Sequence, residues 1–594
     1  MIHYETDPLG RIVKKLSPAA DEANSDAVQT ESFEYDANGN LVACENAAIR
    51  IERCFDDEGH LLEEKQGKAC RITNVYDLNG NRLARGIEVN ISERRYVNTV
   101  HYRFDALDQA IRVEMEGQDP LKLARNALGQ VTEETLSKSL RRDFAYSSDG
   151  YLTAQKVFAG EGPLFEQNYH YDRAGNLLEK RDSVMGIDQY TYDPLGRLVS
   201  HLNPEGRLTK YFNDPAGDRL RTYITGRVSD ENSLDGWGRE GEYEGIYYRF
   251  DRAGNLIERS DLNDESRFSW DANQRLIQSS TNDKITTYQY DPLGRRVRKE
   301  TDDIITGFFW DGDALLGDML VEEGKTGALA TARLREWVYY PETFEPLIMA
   351  QNYGESASEL YLYHNDPNGC PTRLLDVAGD VVWAAQYSAW GGVEKLLVDR
   401  VDNPIRLQGQ YIDSETDLYF NRHRYFDYYT GLFVSQDPLR LLAGDYLYGA
   451  GPNNISWIDP LGLSCGRQGE RIARNYLESQ GFHIIGSLQN RSGHGIDLIA
   501  RDANGLLHFF EVKTTRGLRA PSLSAAQRQG ATSFVASRLQ RAALGQGAWG
   551  AVHDPHTAAR AQSLLSEIGS GGGTVAGEVL EVTLGDGNIT RRAW

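Results

Sequence analysis

The sequence predicts a mostly β protein: a long, repeating β-sheet followed by a small α/β domain. Three observations predict it. A short motif built on an aromatic residue and Asp returns through most of the 594 residues. Each copy restarts the apolar–polar alternation of a half-buried strand. After Leu463 the motif stops and the charge balance inverts. Of the chain's 64 Lys/Arg and 87 Asp/Glu, residues 464–594 hold 14 and 10, which leaves a strongly acidic body and a mildly basic tail.

The repeat comes first along the chain. Tyr35-Asp36-Ala37-Asn38-Gly39-Asn40-Leu41 returns at Tyr76 to Asn81, Tyr171 to Leu177, Tyr192 to Leu198, Phe250 to Leu256 and Tyr290 to Arg295. Weaker copies stand at Phe55-Asp56, Phe104-Asp105, Asp214 to Gly217 and Trp270-Asp271. Neighbouring turns are often about 20 residues apart, the length of two short strands and two turns. In one copy the aromatic residue ends a strand. Asp caps the turn by accepting backbone N–H bonds. Gly, three residues after Asp, takes the positive φ that other residues resist. Such a hairpin cannot bury its own face, so the copies must stack.

These motifs resemble the YD repeats of the Rhs family and its relatives, the toxin-complex C subunits and the teneurins. The resemblance covers most of residues 1–463. It implies a sheet that spirals into a hollow β-cocoon enclosing the C-terminal segment. On this reading residues 1–335 are the repeat shell and 336–463 the Rhs-associated core. The repeat aromatics and Asp are then structural. The chain opens almost inside a repeat, at Tyr4 to Gly10, which reads as a shortened form, an orphan cassette or an excised fragment.

Residues 403–463 carry the most specific part of the core. They include Asp437-Pro438-Leu439 and Asp459-Pro460-Leu461-Gly462-Leu463. The family resemblance implies self-cleavage after this last motif, at the Leu463–Ser464 bond, with Asp437 and Asp459 as the two carboxylates. Two carboxylates forced together share a proton, so one can activate water while the other protonates the carbonyl. Asp-Pro is also a common turn opener, and on that ground alone both pairs read as turns. Some relatives carry Arg before the first Asp, where this chain has Gln436. Arg422 and Arg424 lie nearby in sequence without an assigned role.

The tail, residues 464–594, follows. Ile472, Tyr476 and Leu477 have helical spacing. Strands are expected from Gly481, over Gly493 to Ala500 and over Leu507 to Thr515, with a hairpin turn at Asn504-Gly505. Asp497 on one strand and Glu511-x-Lys513 on the next resemble the PD-(D/E)XK nuclease signature, and period 2 places Glu511 and Lys513 on one face. The pattern is similar to the YraN-like and archaeal Holliday-junction resolvase-like branches of that fold. The resemblance implies Mg²⁺, or Mn²⁺, held by Asp497, Glu511 and Glu470. It implies that Lys513 orients water and offsets transition-state charge, and that Gln527 points at the site from a helix. His494, Arg491, Arg516, Arg519 and Arg528 are candidate substrate or phosphate contacts, each more simply read as surface.

Together these features resemble a secreted Rhs effector: shell, self-cleaving core and nuclease, with DNA favoured over RNA. The resemblance implies synthesis in a bacterial cytoplasm and export by type VI secretion or a related route. It also implies a VgrG- or PAAR-type carrier, a chaperone, a cognate immunity protein, and action in the target-cell cytoplasm. The same shell with an RNase payload, or a teneurin-like adhesion or scaffold protein with an inactive tail, are the alternatives. A zinc deaminase tail would need a His and Cys-x-x-Cys set, and the tail has only Cys465. Five cysteines without metal-ligand spacing suggest a reducing compartment during synthesis. No apolar run is long enough to span a bilayer, and the first residues are not a secretory signal.

Overall fold

The computed structural model describes residues 2–18, 28–91, 94–106, 109–126, 129–148, 150–160, 162–173, 175–214, 217–223, 239–302, 304–323, 329–341, 343–353, 358–440, 446–463, 477, 482–489, 495–502, 506–515, 539, 562, 564, 576–583 and 589–593. The repeats form two large antiparallel sheets. One has 19 strands, from His3–Thr6 to Leu208–Lys210, and the other has 16, from Arg221–Tyr223 to Val393–Asp399. Within each sheet every strand pairs with its sequence neighbour, as a chain of hairpins must. The expected division at 335/336 falls inside strand Leu329–Tyr339, so no break in hydrogen bonding marks it.

The turn chemistry follows from the motif. At Asp36, the Gly39 amide donates to the Asp36 carbonyl (3.1 Å) and the Asp36 amide to the Asn40 carbonyl (3.0 Å). Asn40 N–H and Nδ2 donate to the two carboxylate oxygens (2.8 and 2.9 Å). Gly39 sits at φ 88°. The Trp270 copy has Gln274 in the glycine position, and it is held at φ 61°. Pairing slips by one residue at the aromatic in many copies, among them Tyr35, Tyr76, Tyr171, Tyr192 and Tyr290. These bulges bend and twist the sheet, which lets it coil. The aromatics also lock one repeat to the previous one. Tyr192 Oη donates to the Leu177 carbonyl (2.8 Å), and Trp270 Nε1 to that of Leu256 (2.6 Å).

The two sheets lie against each other as successive coils. Gln66 Nε2 reaches the Trp310 carbonyl (2.5 Å), Arg85 pairs with Glu336 (2.5 Å), and Lys180 pairs with Asp366 (2.9 Å). Partners across the seam are 186 to 251 residues apart, so one coil takes about that much chain. An apolar core runs beside these polar links, with Val100, Leu121, Val157 and Phe165 against Val338, Leu347, Leu362 and Leu375.

A four-stranded sheet, Gln410–Asp413, Leu418–Asn421, Arg424–Asp427 and Leu432–Phe433, packs its aromatics against the second coil. The tail holds a separate five-stranded sheet: His483–Gln489, Gly495–Arg501, Leu507–Thr515, Ala576–Thr583 and Ile589–Ala593. Leu507–Thr515 and Ala576–Thr583 are parallel and the other pairs antiparallel. Leu477, Leu539 and Leu564 are helical and buried. The fold is therefore mostly β with a small α/β tail, the class the sequence predicts. Among the described residues no helix is long and apolar enough to cross a membrane.

Candidate active sites at the joint and in the tail

The joint is built on two Asp-Pro-Leu turns and one buried arginine. Asp437 opens the first turn. Its Oδ1 accepts the Leu439 amide (2.8 Å), and its carbonyl accepts that of Arg440 (2.7 Å). Asp459 opens the second. Its Oδ1 accepts the Leu463 amide (2.8 Å), and its carbonyl accepts that of Gly462 (3.2 Å). Both turns aim their second carboxylate oxygen at Arg424. Nη2 of Arg424 lies 2.9 Å from Asp437 Oδ2 and 3.2 Å from Asp459 Oδ2. Residues 22 positions apart in sequence thus meet on one guanidinium.

Arg424 is fully buried, with its guanidinium 3.6 Å from the centre of the Phe433 ring. Its Nε donates to the Gly462 carbonyl (2.5 Å) and Nη1 to that of Leu447 (3.2 Å). The strand end before it holds the same segment. Asn421 Nδ2 donates to the Asp459 carbonyl (2.9 Å), and the His423 amide to that of Leu461 (3.1 Å). Residues 459–462 are thereby cradled by residues 421–424. A Cβ on Gly409 would collide with the Pro460 carbonyl, so that side of the cradle admits only glycine.

Burial pushes the Asp459 carboxyl above the ordinary aspartate range. Arg424 and the Leu463 amide oppose the shift, and Asp437 adds to it. Gln436 does not reach into this cluster in the manner of a second arginine. It seats against the Gly254 turn, where a Cβ on Gly254 would lie 2.5 Å from both Gln436 Nε2 and Tyr448 Oη. Arg422 faces away, to Asp313 (2.8 Å) and the carbonyls of Leu293 and Gly294 (2.8 Å each), and fastens the four-stranded sheet to the second coil.

In the tail, Leu498 faces Phe510 and Ala500 faces His508 across the hairpin. Continued by one residue, that register sets the backbone of Asp497 opposite that of Glu511. Lys513 lies two positions farther along the same strand. Asp502 closes the turn, accepting the Leu506 amide on Oδ1 (2.9 Å). Ser464, Glu470, His494 and Gln527, and Arg491, Arg516, Arg519 and Arg528, lie outside the described residues.

Sequence reading noted Arg424 beside the joint and gave it no role. The available signal was a charge in a strand, Arg424–Asp427, whose four residues are all buried. A buried guanidinium in such a strand demands carboxylate or carbonyl partners.

Comparison with known proteins places this architecture. The family models RHS protein and RHS Repeat match residues 360–396 and 270–303, and Teneurin YD-shell matches 22–224. The double-stranded DNA deaminase toxin A of Burkholderia cenocepacia is 31% identical over 506 residues, covering 78% of this chain and 34% of that protein. The chain belongs to the Rhs/YD-repeat family. A second relative is the probable deoxyribonuclease RhsA of Dickeya dadantii, 27% identical over 402 residues, covering 64% of this Rhs chain and 27% of the relative. This Rhs chain spans about a third of the length of these relatives. The crystal structure of TcdB2-TccC3 without its hypervariable C-terminal region shares the fold, with TM-score 0.50 and 16% identity over 78% of this chain and 27% of that one. Residues 469–543 match the uncharacterised protein family UPF0102, whose description names no activity.

Proposed function

We propose that this Rhs chain is a toxin whose shell and core cut the chain after Leu463 and free residues 464–594 as a metal-dependent nuclease. The observation that carries the cleavage is the convergence of Asp437 and Asp459 on Arg424, with Leu463 N–H held by Asp459. The raised proton affinity of Asp459 suits it to the acid role, and Asp437 takes the base role. Water attacks the Leu463 carbonyl carbon and Asp437 takes its proton. Asp459 protonates the carbonyl oxygen. The C–N bond to Ser464 then breaks as the leaving amine takes the proton held by Asp437 and a hydroxyl of the diol returns its proton to Asp459, which gives a Leu463 carboxyl group and a free Ser464 amine. The Arg424 and Asn421 contacts hold the segment in place throughout.

The nuclease reading is supported by the hairpin register from Leu498–Phe510, which, continued by one residue, brings Asp497 and Glu511 to facing positions. With Glu470 they supply the oxygen donors that fit Mg²⁺ or Mn²⁺, and an ion bound there would polarise a scissile phosphate. Lys513 orients the attacking water and offsets developing charge, and Gln527 is the additional polar group of the site. The name of the Dickeya relative, probable deoxyribonuclease, favours DNA as substrate. An immunity protein in the producer, a VgrG- or PAAR-type carrier and action in the target-cell cytoplasm belong to the same reading. The purified full-length protein, incubated with plasmid, linear DNA and tRNA, tests it. Cutting with Mg²⁺ that stops on chelation and in Glu511→Gln is expected. An inert protein toward all three substrates would end the nuclease reading.

A further inference from the structure

The cleavage turn is a repeat turn with one lock missing. In many of the repeats, the residue four after Asp donates to the second carboxylate oxygen. Asn40 Nδ2 lies 2.9 Å from Asp36 Oδ2, Asn176 Nδ2 2.9 Å from Asp172 Oδ2, Arg197 Nε 2.6 Å from Asp193 Oδ2, and Arg295 Nε 2.7 Å from Asp291 Oδ2. Two of these turns, Asp193-Pro194-Leu195-Gly196 and Asp291-Pro292-Leu293-Gly294, have the same four residues as Asp459-Pro460-Leu461-Gly462. Only the next residue differs: Arg197, Arg295 and Leu463.

At Asp459 the backbone turn is kept. Gly462 has φ 67°, and the Leu463 amide binds Oδ1. The leucine side chain has no donor, so Oδ2 is left to Arg424. The Asp437 turn repeats the arrangement. Arg440 takes the glycine position at φ 53°, the fifth residue is Leu441, and Oδ2 again meets Arg424. Burial does not separate the two kinds of turn, because Asp291 and Arg295 are 0% and 1% exposed. The Asp366-Pro367-Asn368-Gly369-Cys370 turn shows the same rerouting. Its fifth residue is Cys370, and its Oδ2 pairs with Lys180 of the first coil (2.9 Å).

We propose that the apolar fifth residue is the specificity determinant of self-cleavage: Leu463 leaves Asp459 Oδ2 to the Arg424–Asp437 cluster, whereas Arg197 and Arg295 hold identical turns inert. Arg424 is then the positioning residue that gathers both freed carboxylates. This inference rests on the self-cleavage reading above.

The test is cleavage of the full-length chain, followed by denaturing gel and by mass spectrometry of the new termini, in Leu463→Asn, Leu463→Arg and Leu463→Met. Asn is close to Leu in size and supplies the donor that closes the Asp36 and Asp172 turns. Leu463→Asn and Leu463→Arg should slow cutting at least about tenfold, the effect of recruiting one charge-assisted hydrogen bond away from the cluster. Leu463→Met should cut within about threefold of wild type, because its side chain donates nothing. Equal slowing of Asn and Met would mean that the site reads side-chain fit rather than the donor, and would overturn the proposal. So would wild-type rates in Asn and Arg. A wild-type chain that stays whole would instead remove the self-cleavage reading, and this one with it. Arg424→Ala, with and without millimolar guanidinium, checks the positioning role. Rescue by the added cation is expected, and a folded variant that cuts at the wild-type rate without it contradicts that role.

Discussion

Replacing Arg296 by Met should loosen the four-stranded sheet from the second coil. Arg296 lies in strand Arg296–Thr301 of the coil, is buried, and pairs with the fully buried Asp413 of the four-stranded sheet. Its guanidinium also donates to Tyr425 Oη (3.1 Å) and lies 4.3 Å from the centre of Phe420 and 4.5 Å from that of Phe308. Breaking a buried pair costs about 3–5 kcal/mol, because one charge stays buried without its partner. Lys299 Nζ remains 3.0 Å from Asp413 Oδ1, so the lower end, about 3 kcal/mol, is expected. The double variant Arg296→Met with Asp413→Leu removes both charges and should recover at least half of the loss, with Lys299 still held by Glu415 at 2.9 Å. Urea unfolding followed by tryptophan emission reads this, with Trp310 as a near reporter through its bond to the Arg296 carbonyl (2.7 Å). A single variant within about 0.5 kcal/mol of wild type, or a double variant less stable than the single, would refute the reasoning.

Three further outcomes are expected. Glu345 is half-buried at the seam, and burial raises its carboxyl from 4.5 to about 7, against the bond from Asn365. Its contribution to stability is present below the unfolded value and lost as pH rises through about 7, so Glu345→Gln should stabilise the shell at pH 8 by on the order of 2 kcal/mol and change little at pH 4; equal effects at both pH values would contradict this. Tyr192→Phe removes the repeat-to-repeat bond to Leu177 and leaves that carbonyl without this donor, costing about 1 kcal/mol in the same unfolding assay, and no change would deny the lock. With Asp459 as the acid, the rate of self-cleavage should fall on the alkaline side as pH rises through its raised value, and a rate that climbs steadily with pH would exclude that role.

The repeats were legible because one turn needs fixed residue types at fixed offsets. Asp at the first position, a positive φ three residues on and a donor four residues on leave a readable trace. The seam was not legible. Pairs such as Arg85 with Glu336 and Asp182 with Arg373 join residues that share no local pattern, and their positions follow only from how many hairpins fill one coil. At the joint the two Asp-Pro-Leu turns could be read, and the resemblance supplied their pairing. Their meeting on Arg424 could not be read, because a charge in Arg424-Tyr425-Phe426-Asp427 looks like an exposed strand end until its burial is known. In the tail the strand order around Asp497 and Glu511 followed from alternation and the Asn504-Gly505 turn signal. The parallel partner Ala576–Thr583 did not, since a crossover carries no local signature.

The most direct measurement is the intact mass of the purified chain under denaturing conditions, beside Asp437→Asn and Asp459→Asn. The expected result is two polypeptides, residues 1–463 and 464–594, with the new amino terminus at Ser464, and a single uncut chain in both variants. A wild-type protein that remains one 594-residue chain after folding, or variants that cut as readily as wild type, would contradict the account at its centre.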